Sequence, residues 1–437
     1  LKRRRSGGAG GIVIPKTEGE GFFSLLPFSP TAAQRRVMEE IAGDLSSGRP
    51  MNRLVQGDVG SGKTAVAAFA AFLCVKSEHQ AALMAPTEVL AEQHARSLSA
   101  LLAPAGVRVE LLTGSLSPAE KKRVRRAAAQ GEAQLVVGTQ ALIARDTAYR
   151  DLALIIADEQ HRFGVAQRAA LAAKSGRDTP PHVLVMSATP IPRTLALMVY
   201  GDLDVSVIDQ LPPGRTPVET YVIHEDKRQR MYAFVRRLVQ EGRQAYIICP
   251  AVEEGEADPD TGEPPMDLKA VKTYAAHLAD KVFPDLRVGL LHGKLRPKEK
   301  EAAMAAFASG QTQVLVSTTV VEVGVDVPHA SLIIIENAER FGLSQLHQLR
   351  GRVGRGRHRS YCVLMTKSRQ EEAMRRLKTL AATTDGFQIA QADLEQRGPG
   401  DFFGSRQHGL PQLRLASLTG DMEVLSQAQR AARELLE

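Results

Sequence analysis

Short apolar runs alternate along this chain with stretches in which apolar residues return every three or four positions. The runs cover 52–57, 81–86, 108–114, 134–139, 152–158 and 183–188, then 218–223, 244–250, 287–292, 313–318, 331–336 and 360–366. Near-continuous Val, Ile, Leu and Ala over such lengths predicts strands buried on both faces. Helical periodicity covers Pro30 to Asp44, Ala65 to Val75, 88–103 and 117–130, then 226–241, 268–280, 297–309 and 343–350. The alternation predicts an α/β fold of doubly wound parallel sheets, run through twice. Leu211-Pro212-Pro213-Gly214 interrupts the rhythm and sets a domain boundary, giving sheet domains at 28–213 and 214–367.

After 367 the strand signal ends. Helices are expected over 368–382 and from Phe387 to Gln396, followed by Arg397-Gly398-Pro399-Gly400, a polar loop to Gly409, and a closing helix over 420–437. This makes 368–437 a small helical module. Residues 1–27, basic at Lys2 to Arg5 and Gly-rich at Gly7 to Gly11, read as a linker, and the acidic stretch Glu253 to Asp267 as a surface loop.

Composition adds little to this picture. The 437 residues carry 56 Lys and Arg against 49 Asp and Glu, a surplus of +7 that permits a polyanionic partner without demanding one. Cys74, Cys249 and Cys362 lie far apart within apolar runs, with no C-x-x-C or zinc spacing, and read as reduced core residues of a cytoplasmic protein. No run approaches 18 apolar residues, so no membrane span is expected.

The chemistry concentrates at Gly57-Asp58-Val59-Gly60-Ser61-Gly62-Lys63-Thr64, between the apolar run Leu54-Val55 and the helical run from Ala65. Strand, Gly-rich loop and helix is the setting of a phosphate-binding loop. Glycines let the backbone approach a polyphosphate, and the helix start turns N–H groups and positive dipole charge toward it. Lys63 would reach the β- and γ-phosphates, and Thr64 would offer its hydroxyl to Mg²⁺. Downstream, the apolar run Leu152 to Ala157 leads into Asp158-Glu159-Gln160-His161. A strand ending in two acids is where a nucleotide-binding sheet places its carboxylates: Asp158 for Mg²⁺, Glu159 to orient and deprotonate water.

With the loop in place, D-E-Q-H resembles the DExH class of superfamily-two helicases and translocases, and further motifs of that class follow in register. Phe28 with Gln34 resembles the adenine-reading element. Ala85-Pro86-Thr87-Glu88, Thr113-Gly114 and Gly138-Thr139 resemble strand-end loops that grip a nucleic-acid backbone, and Ser187-Ala188-Thr189 the element coupling hydrolysis to domain movement. His292-Gly293, Ser317-Thr318-Thr319, Glu322-Val323-Gly324-Val325-Asp326 and Gln348-Leu349-Arg350-Gly351-Arg352-Val353-Gly354-Arg355 resemble the second-domain motifs. The resemblance implies two tandem RecA-like motor domains. It places Lys63, Asp158, Glu159, Arg352 and Arg355 in catalysis. It also places Phe28, Gln34, Gly57, Asp58, Gly60, Ser61, Gly62, Thr64, His161, Gly324, Asp326 and Gln348 around ATP. Pro86, Thr87, Thr113, Gly114, Gly138, Thr139, Ser187, Thr189, His292, Thr318 and Thr319 are implied to contact or couple to DNA.

Four longer stretches narrow the likeness. Pro50 to Gly60, Asp158 to Gly164, Ala188 to Thr194 and Leu211 to Arg215 resemble the RecG family of branched-DNA helicases. Asp393 to Gln407 resembles the translocation motif that RecG shares with transcription-repair coupling factor, a helical hairpin bearing Arg397 and Gln407. The resemblance covers residues 26–437 and implies a monomeric, ATP- and Mg²⁺-dependent double-stranded DNA translocase acting on branched DNA. It further implies a bacterial, nucleoid-associated setting and single-strand DNA-binding protein as a partner. The family's N-terminal wedge has no counterpart here, so a motor without its strand separator is expected, with Lys2-Arg3-Arg4-Arg5 as the tail of the connecting helix. The rival readings are a coupling-factor motor, an RNA helicase of the same superfamily, and a nucleotide-gated binding module with incidental turnover. Base-reading elements are not evident, so binding is expected to follow structure rather than sequence.

Overall fold

In a computed structural model the apolar runs become the strands of two separate parallel sheets. The structure describes residues 13–15, 19–158, 170–176, 179–188, 203–212, 217–250, 268–318, 327–356, 358–402, 427 and 431. The chain divides at Pro212/Pro213 into two compact units, the second running to Gly398.

The first unit holds β1 (Asn52–Gly57), β2 (Gln80–Met84), β3 (Val109–Leu112), β4 (Leu135–Gly138), β5 (Leu152–Ala157), β6 (His182–Ser187) and β7 (Asp204–Ile208). Their order across the sheet is β3-β4-β2-β5-β6-β1-β7, and every pairing is parallel. The described helices are α1 (Gly19–Phe23), α2 (Ala32–Ser46), α3 (Lys63–Lys76), α4 (Glu88–Leu102) and α5 (Pro118–Gln130). Strand residues alternate between two cores, as a period of two requires. Ala81, Leu83, Leu135 and Val137 pack with α2, α3 and α4, whereas Ala82, Met84, Val136 and Ile155 pack with Val124, Ala127 and Ala128 of α5. Helix α3 is apolar all round, and Ala65 through Val75 are all buried, the mark of a central helix. Edge strand β7 lies outside the strands expected from the apolar pattern. Its Ser206 is buried and bonds to Arg53 (2.7 Å) and to Glu40, so polar partners rather than apolar packing hold part of it.

The second unit holds β8 (Val218–Ile223), β9 (Gln244–Ile248), β10 (Val288–Leu291), β11 (Val314–Ser317), β12 (Ala330–Ile335) and β13 (Ser360–Met365) in the order β10-β11-β9-β12-β13-β8, again all parallel. Its described helices are α6 (Arg228–Gln240), α7 (Leu268–His277), α8 (Pro297–Ala308), α9 (Leu343–Arg350), α10 (Glu371–Ala382) and α11 (Gly386–Phe402). One face is covered by α6 and α7 through Val235, Leu238 and Val271. The other takes α8 and α9 together with Leu377, Leu380 and Ile389 from α10 and α11, so those helices share this unit's core. Glu336, directly after β12, is 4% exposed and accepts both arms of Arg228 (2.8 and 2.9 Å) and the hydroxyl of Tyr274 (2.7 Å), which pins α6 and α7 to the sheet.

One further feature differs from expectation. Arg397-Gly398-Pro399-Gly400 was expected to be a loop, but α11 runs through it to Phe402. The first half of α11 is anchored by buried Ile389, Ala390 and Leu394, and the backbone keeps that register despite the poor helix propensity of Gly and Pro. The closing helix over 420–437 falls outside the described residues except for Gln427 and Ala431, both helical. Cys74, Cys249 and Cys362 are buried thiols, and burial pushes the Cys362 thiol up to about 12. Among the described residues no helix is long and apolar enough to cross a membrane.

Candidate nucleotide and nucleic-acid site

Because every strand of the first sheet runs the same way, the loops that follow the strands all leave from one edge. Strand order then sorts them. Gly57 to Gly62 follows β1, Ser187-Ala188 closes β6, and Asp158 follows β5, on three adjacent strands. Ala85-Pro86-Thr87, Thr139 and Thr113-Gly114 follow β2, β4 and β3, three further adjacent strands. With strands about 4.8 Å apart, β1 and β5 run about 10 Å from each other, with β6 between them.

The Gly57 loop is shaped by its glycines and by α2. Gly62 is the N-cap of α3 at φ 84°, a left-handed conformation. A Cβ there would lie 2.1 Å from Nε2 of Gln34, so only glycine fits. Gln34 itself is fully buried and both ends of its amide are engaged. Its Oε1 accepts from the Thr31 N–H (2.9 Å), its backbone N–H donates to Thr31 Oγ1 (3.2 Å), and its Nε2 donates to the Ser61 carbonyl (2.8 Å). The N-terminus of α2 is thus capped and tied to the loop by one side chain. Phe28, just upstream, is 41% exposed. Lys63 Nζ donates to the carbonyls of Gly57 (2.7 Å) and Asp58 (2.9 Å), which folds its ammonium over the loop. Thr64, in the first turn of α3, is half-buried.

Asp158 is held from behind. Its Oδ2 accepts from His94 Nε2 at 2.7 Å, and its backbone N–H donates to the Met84 carbonyl at 2.9 Å. The ionised carboxylate can only accept, so the imidazole donates. His94 lies on the buried stripe of α4 with Ala91, Leu98 and Leu102. The first turn of that helix also organises the loops of the other strands. Thr87 caps it, accepting from the Leu90 N–H (3.4 Å), and Glu88 accepts from the Ser115 N–H (3.2 Å). Thr113 Oγ1 meets Ser115 Oγ at 3.1 Å. Gly138 permits the close approach of β3 and β4, since a Cβ there would lie 2.1 Å from the Leu112 carbonyl.

In the second unit His292 and Thr318 follow the adjacent strands β10 and β11, joined by Thr318 N–H to the Leu291 carbonyl at 3.2 Å. His292 is 3% exposed, with no partner for Nδ1 among the described residues. Burial, then the ammonium groups of Lys272 and Lys300, lower its pKa from the ordinary value. Gln348 lies on α9, and Arg352 and Arg355 follow it, with Arg355 Nε donating to the Gly351 carbonyl at 3.2 Å. Between them Arg350 is buried. It donates to the carbonyls of Leu380 (2.6 Å) and Thr383 (2.8 Å) and to His347 Nδ1 (3.0 Å), so it fastens α9 to the end of α10. Glu159, His161, Thr189, Thr319, Gly324, Asp326, Gln407 and the Arg397 side chain lie outside the described residues.

The sequence reading did not single out His94 or Arg350. Each sits at a buried position of an amphipathic helix, where a polar or charged residue in an apolar stripe is the available signal.

Three family profiles match the chain in succession: DEAD/DEAH box helicase over 31–198, helicase conserved C-terminal domain over 226–357, and the C-terminal part of domain 3 of ATP-dependent DNA helicase RecG over 383–437. ATP-dependent DNA helicase RecG of Synechocystis is 54% identical over 417 residues, covering 95% of this chain and 49% of the relative. The Bacillus subtilis and Escherichia coli K12 proteins of the same name are each 49% identical, covering 95% and 94% of this chain and 59% of each relative. A solved structure of RecG bound to a three-way DNA junction superposes with a TM-score of 0.80 at 43% identity, over 97% of this chain and 54% of that one. Yeast Dbp5 bound to RNA and ADP BeF3, at 16% identity and a TM-score of 0.58, shares the fold. The chain spans about half to three fifths of the length of these RecG relatives. Over that span, with identity near one half and a RecG-specific profile at its end, the chain is strongly homologous to the RecG helicases.

Proposed function

We propose that this chain is the motor of an ATP-driven double-stranded DNA translocase that acts on branched DNA such as replication forks and Holliday junctions. The observation that supports it most directly is the partition of one sheet edge. Loops after β1 and β5 carry phosphate-loop and carboxylate chemistry, the Ser187-Ala188 end of β6 between them belongs to the coupling element, and loops after β2, β4 and β3 carry short Thr and Gly donors suited to a nucleic-acid backbone. The likeness to a RecG chain solved on a three-way junction supports branched DNA as the substrate. In this reading residues 28–213 and 214–367 are the two motor domains and 368–437 the translocation module, in which Arg397 and Gln407 transmit motion to duplex DNA.

Lys63 and the N–H groups at the start of α3 bind the β- and γ-phosphates, Phe28 and Gln34 flank the base, and Glu159 orients and deprotonates the attacking water. Arg352 and Arg355 act as arginine fingers on the transferring phosphoryl group. Thr64 and Asp158 offer a hydroxyl and a carboxylate, hard oxygen donors that suit Mg²⁺, which takes few protein ligands and completes its shell with phosphate and water. That ion would neutralise charge on the phosphate oxygens. The reading extends to a monomeric motor at the bacterial nucleoid with single-strand DNA-binding protein as a partner.

The test is steady-state ATPase without DNA and with single-stranded, linear duplex and forked oligonucleotides. Stimulation by duplex and fork above single strand is expected, and Glu159→Gln should abolish turnover. ATPase that responds to no DNA, or survives Glu159→Gln, would overturn the assignment.

A further inference from the structure

We infer that α4 is the mechanical link through which the nucleic-acid loops reset the carboxylate of the nucleotide site, with His94 as the positioning residue at its output end. The inference rests on the roles proposed above for Thr87, Thr113, Gly114 and Asp158.

The link is contiguous. Ser115, next to the Thr113-Gly114 loop, donates its N–H to Glu88 in the first turn of α4. Gly114 is packed against the same carboxylate, and a Cβ there would lie 2.8 Å from Glu88 Oε1. Thr87, in the loop after β2, caps the helix. Two turns on, about 10 Å along the axis, His94 reaches Asp158. The hydrogen bond is 2.7 Å long between side chains 10% and 14% exposed, where little water competes for either group.

A helix of 15 residues moves as a unit, and Ala91, Leu98 and Leu102 hold the face of α4 that carries His94 against the core. A backbone phosphate that draws the Thr87 and Gly114 loops toward itself pulls on both attachments at the helix start. The displacement arrives at Asp158 as a change in where its Oδ2 is held, and so in where its other oxygen points. A hydrogen bond to a ligating carboxylate typically sets metal affinity or activity within a factor of about 10–100. By reciprocity, Mg²⁺-nucleotide at Asp158 biases the same loops toward the conformation that grips DNA.

A histidine that merely satisfies a buried carboxylate predicts something different. Its loss would weaken the nucleotide site equally with and without DNA. The experiment therefore measures binding of a fluorescent non-hydrolysable ATP analogue as Mg²⁺ is titrated, with and without a duplex oligonucleotide, in the full chain and in His94→Ala, His94→Gln and Glu88→Ala. In the wild type the duplex should tighten Mg²⁺-dependent binding by about 5–150-fold. His94→Ala should weaken that binding by about 10–100-fold and bring the duplex effect to within about twofold of none. His94→Gln, whose Nε2 reaches toward the same oxygen, should recover part of both. Glu88→Ala removes the acceptor of the Ser115 N–H and should reduce the duplex effect from the far end of the helix with the His94–Asp158 bond intact, and it carries the test if His94→Ala misfolds. A duplex effect that survives both His94→Ala and Glu88→Ala overturns the inference alone. A wild-type chain that binds nucleotide with no response to duplex overturns the functional assignment of the loops, and the inference with it.

Discussion

Replacing Gly62 by alanine tests the contact between α2 and the phosphate-type loop. The residue stands at φ 84°, and its missing Cβ would fall 2.1 Å from Gln34 Nε2. A left-handed backbone costs alanine about 1–2 kcal/mol. The Gln34 amide must also swing away, which breaks its bonds to the Ser61 carbonyl and the Thr31 N–H. At about 1 kcal/mol each those bonds bring the total to about 3–4 kcal/mol. Gln34→Ala alone removes the same two bonds and costs about 2 kcal/mol. With Gln34 already gone, Gly62→Ala should cost only the backbone contribution, so the double-mutant cycle should show coupling of about 2 kcal/mol. Hydrogen exchange of the core amides of β1 and α3 reports the first unit's opening free energy within the intact chain. An equal cost of Gly62→Ala in both backgrounds would show that Gln34 does not fill that space. A cost under about 0.5 kcal/mol would show that the backbone is not left-handed there.

Three further outcomes are expected. Arg352→Ala and Arg355→Ala should each lower ATP turnover by about 10³–10⁵ while nucleotide affinity, read with a fluorescent analogue, stays near that of the wild type; a matching loss of affinity would remove them from the finger role. Arg350→Met leaves the buried carbonyl of Leu380 and the half-buried carbonyl of Thr383 without this donor, at about 1–3 kcal/mol for the buried one, so exchange of the α10 amides should accelerate accordingly, and unchanged exchange would contradict the clamp. His292 titrates below its ordinary range in the folded chain because it is buried near Lys272 and Lys300. The unfolded chain therefore takes up the proton first, and the second unit loses stability as pH falls from about 6.5 downward. Urea midpoints at about pH 7.5 and about pH 5.5 should differ more in the wild type than in His292→Asn, and equal differences would refute the shift.

The buried strands were legible because a parallel sheet covered on both faces leaves no polar alternation to confuse them, as in β2, β4 and β5, where every residue is buried. Strand β7 was missed because it pairs on one side only and presents Asp204 and Ser206 to polar partners, so its apolar signal is thin. The passage of α11 through Arg397-Gly398-Pro399-Gly400 was hidden for the opposite reason. Local propensity there speaks for a loop, while the helix is set by packing of residues earlier in it. Motif spacing located the Gly57 loop and Asp158, since both follow directly from a strand end. It did not reveal that Gln34 touches Ser61 or that His94 touches Asp158, pairs separated by 27 and 64 residues. Such contacts come from strand order, which places β2 and its following helix beside β5 and is not written in any local pattern.

The sorting of loops along the first sheet has a consequence for how such a protein can change. The loops after β1, β6 and β5 leave from three neighbouring strands, and those after β3, β4 and β2 from three more. Insertions after β3 or β4 can therefore accumulate without touching β1, β6 or β5, whereas β2 borders β5, its Met84 carbonyl holds the Asp158 N–H, and its following helix carries His94. The outer two loops are free to diverge, and the loop after β2 has to change in step with the carboxylate side. A chimera that transplants only the outer two loops is the laboratory form of that divergence.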